Sequence, residues 1–302
     1  MIWTTVWGDM SRLRPIPAVL LVGLLAAACV GSGATPGAST SPSPSASPAI
    51  DYPTDPNAVI LRMSTGGGFV APGVLLTEVP EFSLYGDGTV VFRDPSRMYP
   101  APSPGDGVQR LLPFLTARLS RDAVQVLLAD AIGPGGLGTA RERYDPCCIA
   151  DAPSTTFTIK TGAVDKQVTV GALGFEQPDP GSDAAARKAF QALGERLHQP
   201  DLGGATTTDY LPAAYRGILF DAIDVSPTAS TIAWPWTDFG PSGFKPSTDP
   251  SSMQTPIRTL TAADVAKLGR EGLAGGAQSI LLKSDDRIYA LSLRPLLPDE
   301  TS

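Results

Sequence analysis

The sequence predicts an α+β fold: antiparallel hairpins and sheets covered by one or two helices, in two small subdomains behind a disordered tether. Three observations carry this. Gly86-Asp87-Gly88 sits between Glu81–Tyr85 and Thr89–Phe92, two aromatic and β-branched runs joined by residues that reach positive φ at little cost. A Ser120-capped stretch, Arg121 to Ile132, places Val124, Leu127, Leu128 and Ala131 at helical spacing before Gly133, a start-and-stop pattern for an amphipathic helix. A second hairpin and helix then follow in the same order.

The elements can be justified from the N-terminus onward. Residues 1–28 read as a lipoprotein signal peptide. Arg12 and Arg14 precede an apolar run, Ile16 to Ala28, interrupted by Pro17 and Gly23. The run falls short of the roughly 20 residues a spanning helix needs and suits the hydrophobic region of a signal peptide. It ends Leu25-Ala26-Ala27-Ala28-Cys29, which resembles the lipobox cleaved by the lipoprotein signal peptidase. That pattern prefers Leu or Val where Ala26 stands. The resemblance implies lipidation of Cys29 (palmitate among the acyl chains) and a cell-membrane anchor on the extracytoplasmic face, because two or more acyl chains hold a protein stably. Ahead of the arginines, Ile2 to Asp9 hold two tryptophans and an acid, so Met10 makes the more usual start.

Residues 29–57 read as the lipidated cysteine and a Pro/Ser-rich disordered linker, with Ser39-Thr40-Ser41-Pro42-Ser43-Pro44-Ser45 at its centre. Without apolar periodicity nothing offsets the entropy of ordering it, and proline keeps it extended. The body divides at Gly203-Gly204 into an α+β domain, 58–203, and a second α+β subdomain, 204–302. In the first, Ala58–Met63 is a strand ending at Gly66-Gly67-Gly68, which reads as a bend because no phosphate-loop continuation follows. Ser154–Lys160 pairs with Lys166–Val170, and Ser182 opens a helix with Ala186, Phe190, Leu193 and Leu197 on one face. In the second, strands at 215–223 and 256–260 flank a long loop. Thr261 and Asp264 form a capping box for a helix reaching towards Gly272, and a last hairpin turns at Ser284–Arg287.

Three segments, Glu81–Val90, Asp151–Thr158 and Arg294–Glu300, resemble uncharacterised secreted lipoproteins of high-GC bacteria, a family of unknown function. The shared positions are turns and strand ends, so the resemblance implies an exported α+β body and brings no activity with it.

Charge and motifs narrow the function. The chain carries a formal −7, and about −8 remains without residues 1–28. An acidic body argues against nucleic acid and against binding anionic head groups through the domain itself. Cys147 and Cys148 are adjacent. A vicinal disulfide between them spans Cα atoms about 3.8 Å apart, below the usual range, and is strained and easily reduced. A redox-sensing loop, a rigid kink after Pro146 and two free thiols all remain open. The single histidine, His198, closes a helix, where a cation suits the dipole. No Gly-x-Ser-x-Gly elbow accompanies it. Ser242-Gly243-Phe244-Lys245 spells Ser-x-x-Lys, but in a Pro/Ser loop without the partner motifs. No metal or cofactor signature is found, and none is expected.

Trp234-Pro235-Trp236 with Phe239 is the aromatic-rich loop. Exposed, it stacks on sugars or anchors a partner; folded inward, it pins the loop. The function expected is therefore a non-enzymatic binding or interaction module meeting a cell-wall glycan or an envelope protein. The alternatives are an envelope hydrolase using a carboxylate pair and a thiol sensor at Cys147-Cys148. Two acids converging in a cleft mark the hydrolase, and Trp234 or Trp236 exposed in an apolar patch marks the binding module.

Overall fold

The computed structural model describes residues 49–70, 75–94, 106–145, 149–176, 181–223, 225–226, 228–248 and 254–300. The segment read as a signal peptide, Cys29, the stretch read as a linker as far as Pro48, and Cys147 and Cys148 lie outside the described residues.

The architecture is α+β, two mainly antiparallel sheets with few helices. In chain order come strands β1 (Val59–Gly66), β2 (Phe82–Tyr85), β3 (Thr89–Phe92), β4 (Gln109–Arg110) and β5 (Leu115–Arg118), then helix α1 (Arg121–Ile132). Next are β6 (Arg143–Tyr144), β7 (Ser154–Lys160), β8 (Asp165–Gly171), helix α2 (Ala184–His198) and β9 (Thr208–Asp209). The rest comprises β10 (Ala214–Asp221), β11 (Ile232–Ala233), β12 (Lys245–Pro246), β13 (Pro256–Thr261), the short helix α3 (Ala262–Ala266), β14 (Ala277–Ser284) and β15 (Arg287–Pro295). The first sheet has the order β6-β8-β7-β1-β2-β3-β5-β9, the second β11-β14-β15-β10-β13-β12 with β4 added beside β14.

Alternation along β1 and β7 decides which face is covered. Leu61 and Met63, Phe157 and Ile159 are buried against Leu128 of α1 and Phe190 and Leu193 of α2, so both helices cover one face. On α1 the predicted residues turn inward, and Ser120 accepts the Ala123 N–H as its cap. The start of α2 departs from expectation. Residues 181–183 form a 3-10 turn and Asp183, not Ser182, holds the cap position without a side-chain bond. The same helix buries Arg187, whose guanidinium donates to the carbonyls of Tyr144, Gly171 and Ala172. The Thr261–Asp264 capping box forms as expected, but α3 ends at Ala266.

Two features cross the expected boundaries. Ile50 is half-buried against the first core and makes two bonds with the Gln125 carboxamide, at 2.7 and 2.8 Å. The body thus begins inside the 29–57 stretch, because a lone apolar residue followed by Tyr52 finds a seat beside α1. The division at 203/204 is bridged both ways. β9 extends the first sheet from beyond it, and β4 extends the second from before it.

Among the described residues, the opposite face of the first sheet is covered over only half its width. Over β2, β3 and β5 it packs as a third small core of Tyr85, Val91, Phe114 and Leu297. Its margin is ionic. Arg62 donates to Asp299 at 2.7 Å and to Ser83 at 2.9 Å, and the Tyr85 hydroxyl donates to Asp299 at 2.8 Å. Burial by itself would raise the Asp299 carboxyl, but the Arg62 bond and charge hold it below its ordinary value. Tyr85 is pushed well above an ordinary phenol by burial and by Asp299. Nearby, burial and the Glu300 charge push Tyr210 up to about 12.

Candidate functional site

The Trp loop folds inward. Trp236 is 3% exposed and Trp234 half-buried. Each indole N–H finds a backbone acceptor, Trp234 on Phe239 at 2.8 Å and Trp236 on Asp264 at 3.1 Å. Trp236 stacks on Phe239, and Trp234 meets Phe244 and Tyr289 edge-on. Even Phe239 carries the Arg258 guanidinium on its ring, 3.9 Å from the centroid. Trp236 therefore belongs to the core of the second sheet, with Trp234 and Phe239 half-buried against it, which is the inward-folded of the two arrangements the sequence left open for this loop. The physical reason is local supply: the Phe244 and Tyr289 rings lie within reach, and burial of so much area outweighs display.

Exposed apolar surface appears at the far end of β1. Gly67 and Gly68 take positive φ, 79° and 83°, and swing the chain so that the Phe69 N–H bonds Asp151. Phe69 is left 90% exposed, with Val70 at 42% and Leu75 at 38%. Beside them runs an open groove of about 370 Å³ lined by Ser64, Gly66, Glu78, Val79, Ser154 and Thr156 among others.

The floor of that groove continues across the uncovered half of the sheet. Register pairs Ser64 with Thr156 and Thr156 with Thr169; one residue pair further on, Arg62 faces Thr158 and Thr158 faces Gln167. Thr156 and Thr169 hydroxyls meet at 3.2 Å. A second groove, about 490 Å³, begins at Thr169 and Gln167 on the other side of this ridge.

The acids near the groove do not form a catalytic pair within it. Glu78 lines the groove. Burial raises its pKa, the Gly67 N–H lowers it and the Glu81 charge raises it, for a net rise. Glu81 is engaged elsewhere. Its carboxylate accepts from the Thr65 hydroxyl at 3.2 Å and pairs with His198 Nε2 at 3.0 Å. The Glu81 bond and charge raise the imidazole pKa against its partial burial. His198 therefore has a structural partner of longer range than its helix dipole. Among the described residues no group of three or more His, Cys, Asp or Glu is placed to hold a metal.

Sequence reasoning passed over Phe69, Glu78 and the hydroxyl rows. The rows leave a trace in Ser154-Thr155-Thr156-Phe157-Thr158, where even positions are hydroxylic and Phe157 points to the core. The chain matches no protein-family model, no curated protein and no solved structure.

Proposed function

We propose that the protein is a membrane-anchored extracytoplasmic lipoprotein, lipidated on Cys29, whose body is a non-enzymatic binding module for an envelope component. The anchor is supported by Arg12 and Arg14, the short apolar run, the Ala-Ala-Ala-Cys end and the Pro/Ser tract behind it. No described helix is long and apolar enough to cross a membrane.

The observation that carries binding over hydrolysis is the makeup of the Glu78 groove. It is open, holds one acid among the described residues, and has a 90% exposed phenylalanine three residues beyond its Gly66. A hydrolase working through paired carboxylates needs a second acid facing the same bond, and Glu81 spends its carboxylate on His198 and Thr65. Exposed aromatic surface beside hydroxyls is instead the composition of a recognition surface.

The anchor is tested by Cys29→Ala in cells fed labelled palmitate. The expected result is loss of label and release of the chain from the membrane fraction. Label retained at another residue, or a variant still held by the membrane, would contradict the anchor. The binding reading is tested by co-sedimentation of the full-length protein in detergent with isolated envelope fragments.

A further inference from the structure

The uncovered half of the first sheet differs from an ordinary solvent face. Exposed strand positions usually carry long charged side chains, which protect a sheet from unwanted contacts. Here the centre is short and neutral. Ser64, Thr156 and Thr169 form one row across β1, β7 and β8; Thr158 and Gln167 continue the next. All are half-buried except Gln167, which is exposed. Ionised groups stand outside these rows, at the margins and in the groove walls, where Glu78 lines one groove and Glu142, Arg143, Asp165 and Lys166 line the other. Arg62 is taken by Asp299, Arg143 by Asp145, and Lys160 faces Asp165 across the hairpin.

We propose that this hydroxyl face, with Phe69 at its Gly66–Ser154 end, binds an extended, uncharged polysaccharide chain. The inference rests on the binding-module reading and supplies its ligand class and site. Strands lie about 4.8 Å apart, on the order of one sugar unit in an extended chain, so successive rings meet successive hydroxyls. Serine and threonine both donate and accept, as sugar hydroxyls require. Two open grooves on either side of the Thr156–Thr169 ridge give such a chain a path with no closed end. Phe69 supplies the apolar ring face on which a sugar ring stacks.

Charge complementarity selects this occupant. Along the rows between the grooves a polyanion or polycation finds no line of opposite charge. A peptide docks by adding to an open strand edge or by filling apolar pockets. β1 and β7 are hydrogen-bonded on both sides, and the rows between the grooves offer no apolar pocket.

The test is affinity electrophoresis of the full-length protein in detergent, in gels containing hydroxyethylcellulose, a mannan or soluble chitin oligosaccharides. Polygalacturonate serves as the charged comparison. At least one neutral polymer is expected to retard the protein, and polygalacturonate is expected not to. The Thr156→Val/Thr169→Val double variant removes both hydroxyls together, leaves no orphaned partner and keeps β-branched side chains; it should bind about tenfold more weakly at an unchanged thermal midpoint. Phe69→Ala should weaken binding similarly. No retardation by any neutral polymer, or a double variant that binds as the parent does, would overturn the proposal. The two levels separate on envelope fragments. If the parent sediments with them and protease treatment of the fragments abolishes this, the partner is a protein and the glycan inference falls alone. If the parent sediments with no preparation, the binding-module reading falls with it.

Discussion

Two aromatic segments of this protein have opposite fates. Trp234, Trp236 and Phe239 are crowded together in sequence and end up in or against the core, while Phe69 follows a run of glycines and is left in solvent. The difference teaches that local density of aromatics favours burial. Each ring supplies the others with an apolar partner, and the loop gains by folding onto Phe244 and Tyr289. Phe69 follows a turn set by Gly67 and Gly68 that carries it past the end of β1, beyond the reach of any core.

The comparison can be broken most directly by truncating each side. Trp236→Ala should cost about 3–5 kcal/mol of stability, through lost burial and the cavity left behind. Phe69→Ala should change stability by no more than about 0.5 kcal/mol. Urea denaturation of the two variants checks both, and a large loss for Phe69→Ala would mean that it packs against the body.

A smaller effect is expected at the margin of the uncovered face. Asp299→Ala removes the acceptor of both Arg62 and Tyr85 and should cost about 2–3 kcal/mol, as for hydrogen bonds to a charged group. The same pair sets an acid limb. Because the folded Asp299 pKa is depressed, its contribution is complete above the ordinary carboxylate value of about 3.9 and is lost as pH falls through the depressed folded value. Stability measured against pH should lose that limb in Asp299→Ala.

The smallest effect concerns His198, the chain's one histidine, which gives a single imidazole resonance. Its raised pKa predicts an NMR titration midpoint above about 6.5. The pairing with Glu81 stabilises fully below that ordinary value and is lost as pH rises through the raised one. Glu81→Gln should lower the midpoint; an unchanged midpoint would remove Glu81 as the cause.

Much of the fold was legible because it is written locally. The buried face of α1, its Ser120 cap, the Gly86–Gly88 turn and the Thr261–Asp264 box each depend on residues within a few positions. What was not legible depends on distance. The exchanged strands β4 and β9 are two residues long and carry no periodicity. Arg187 reads as a surface residue until the carbonyls at the end of β8 come within its reach. The candidate face was half legible. Alternating hydroxyls in β7 are visible, but their alignment with Ser64 and Thr169 is a matter of register between strands far apart in sequence.

The central claim is that contact is made at the Phe69 end of the first sheet and not at the Trp loop. Co-sedimentation of full-length Phe69→Ala and Trp234→Phe variants with isolated envelope fragments tests it most directly. The account predicts that Phe69→Ala loses most of its binding and that Trp234→Phe sediments like the parent protein. Loss in Trp234→Phe with binding kept in Phe69→Ala would contradict it.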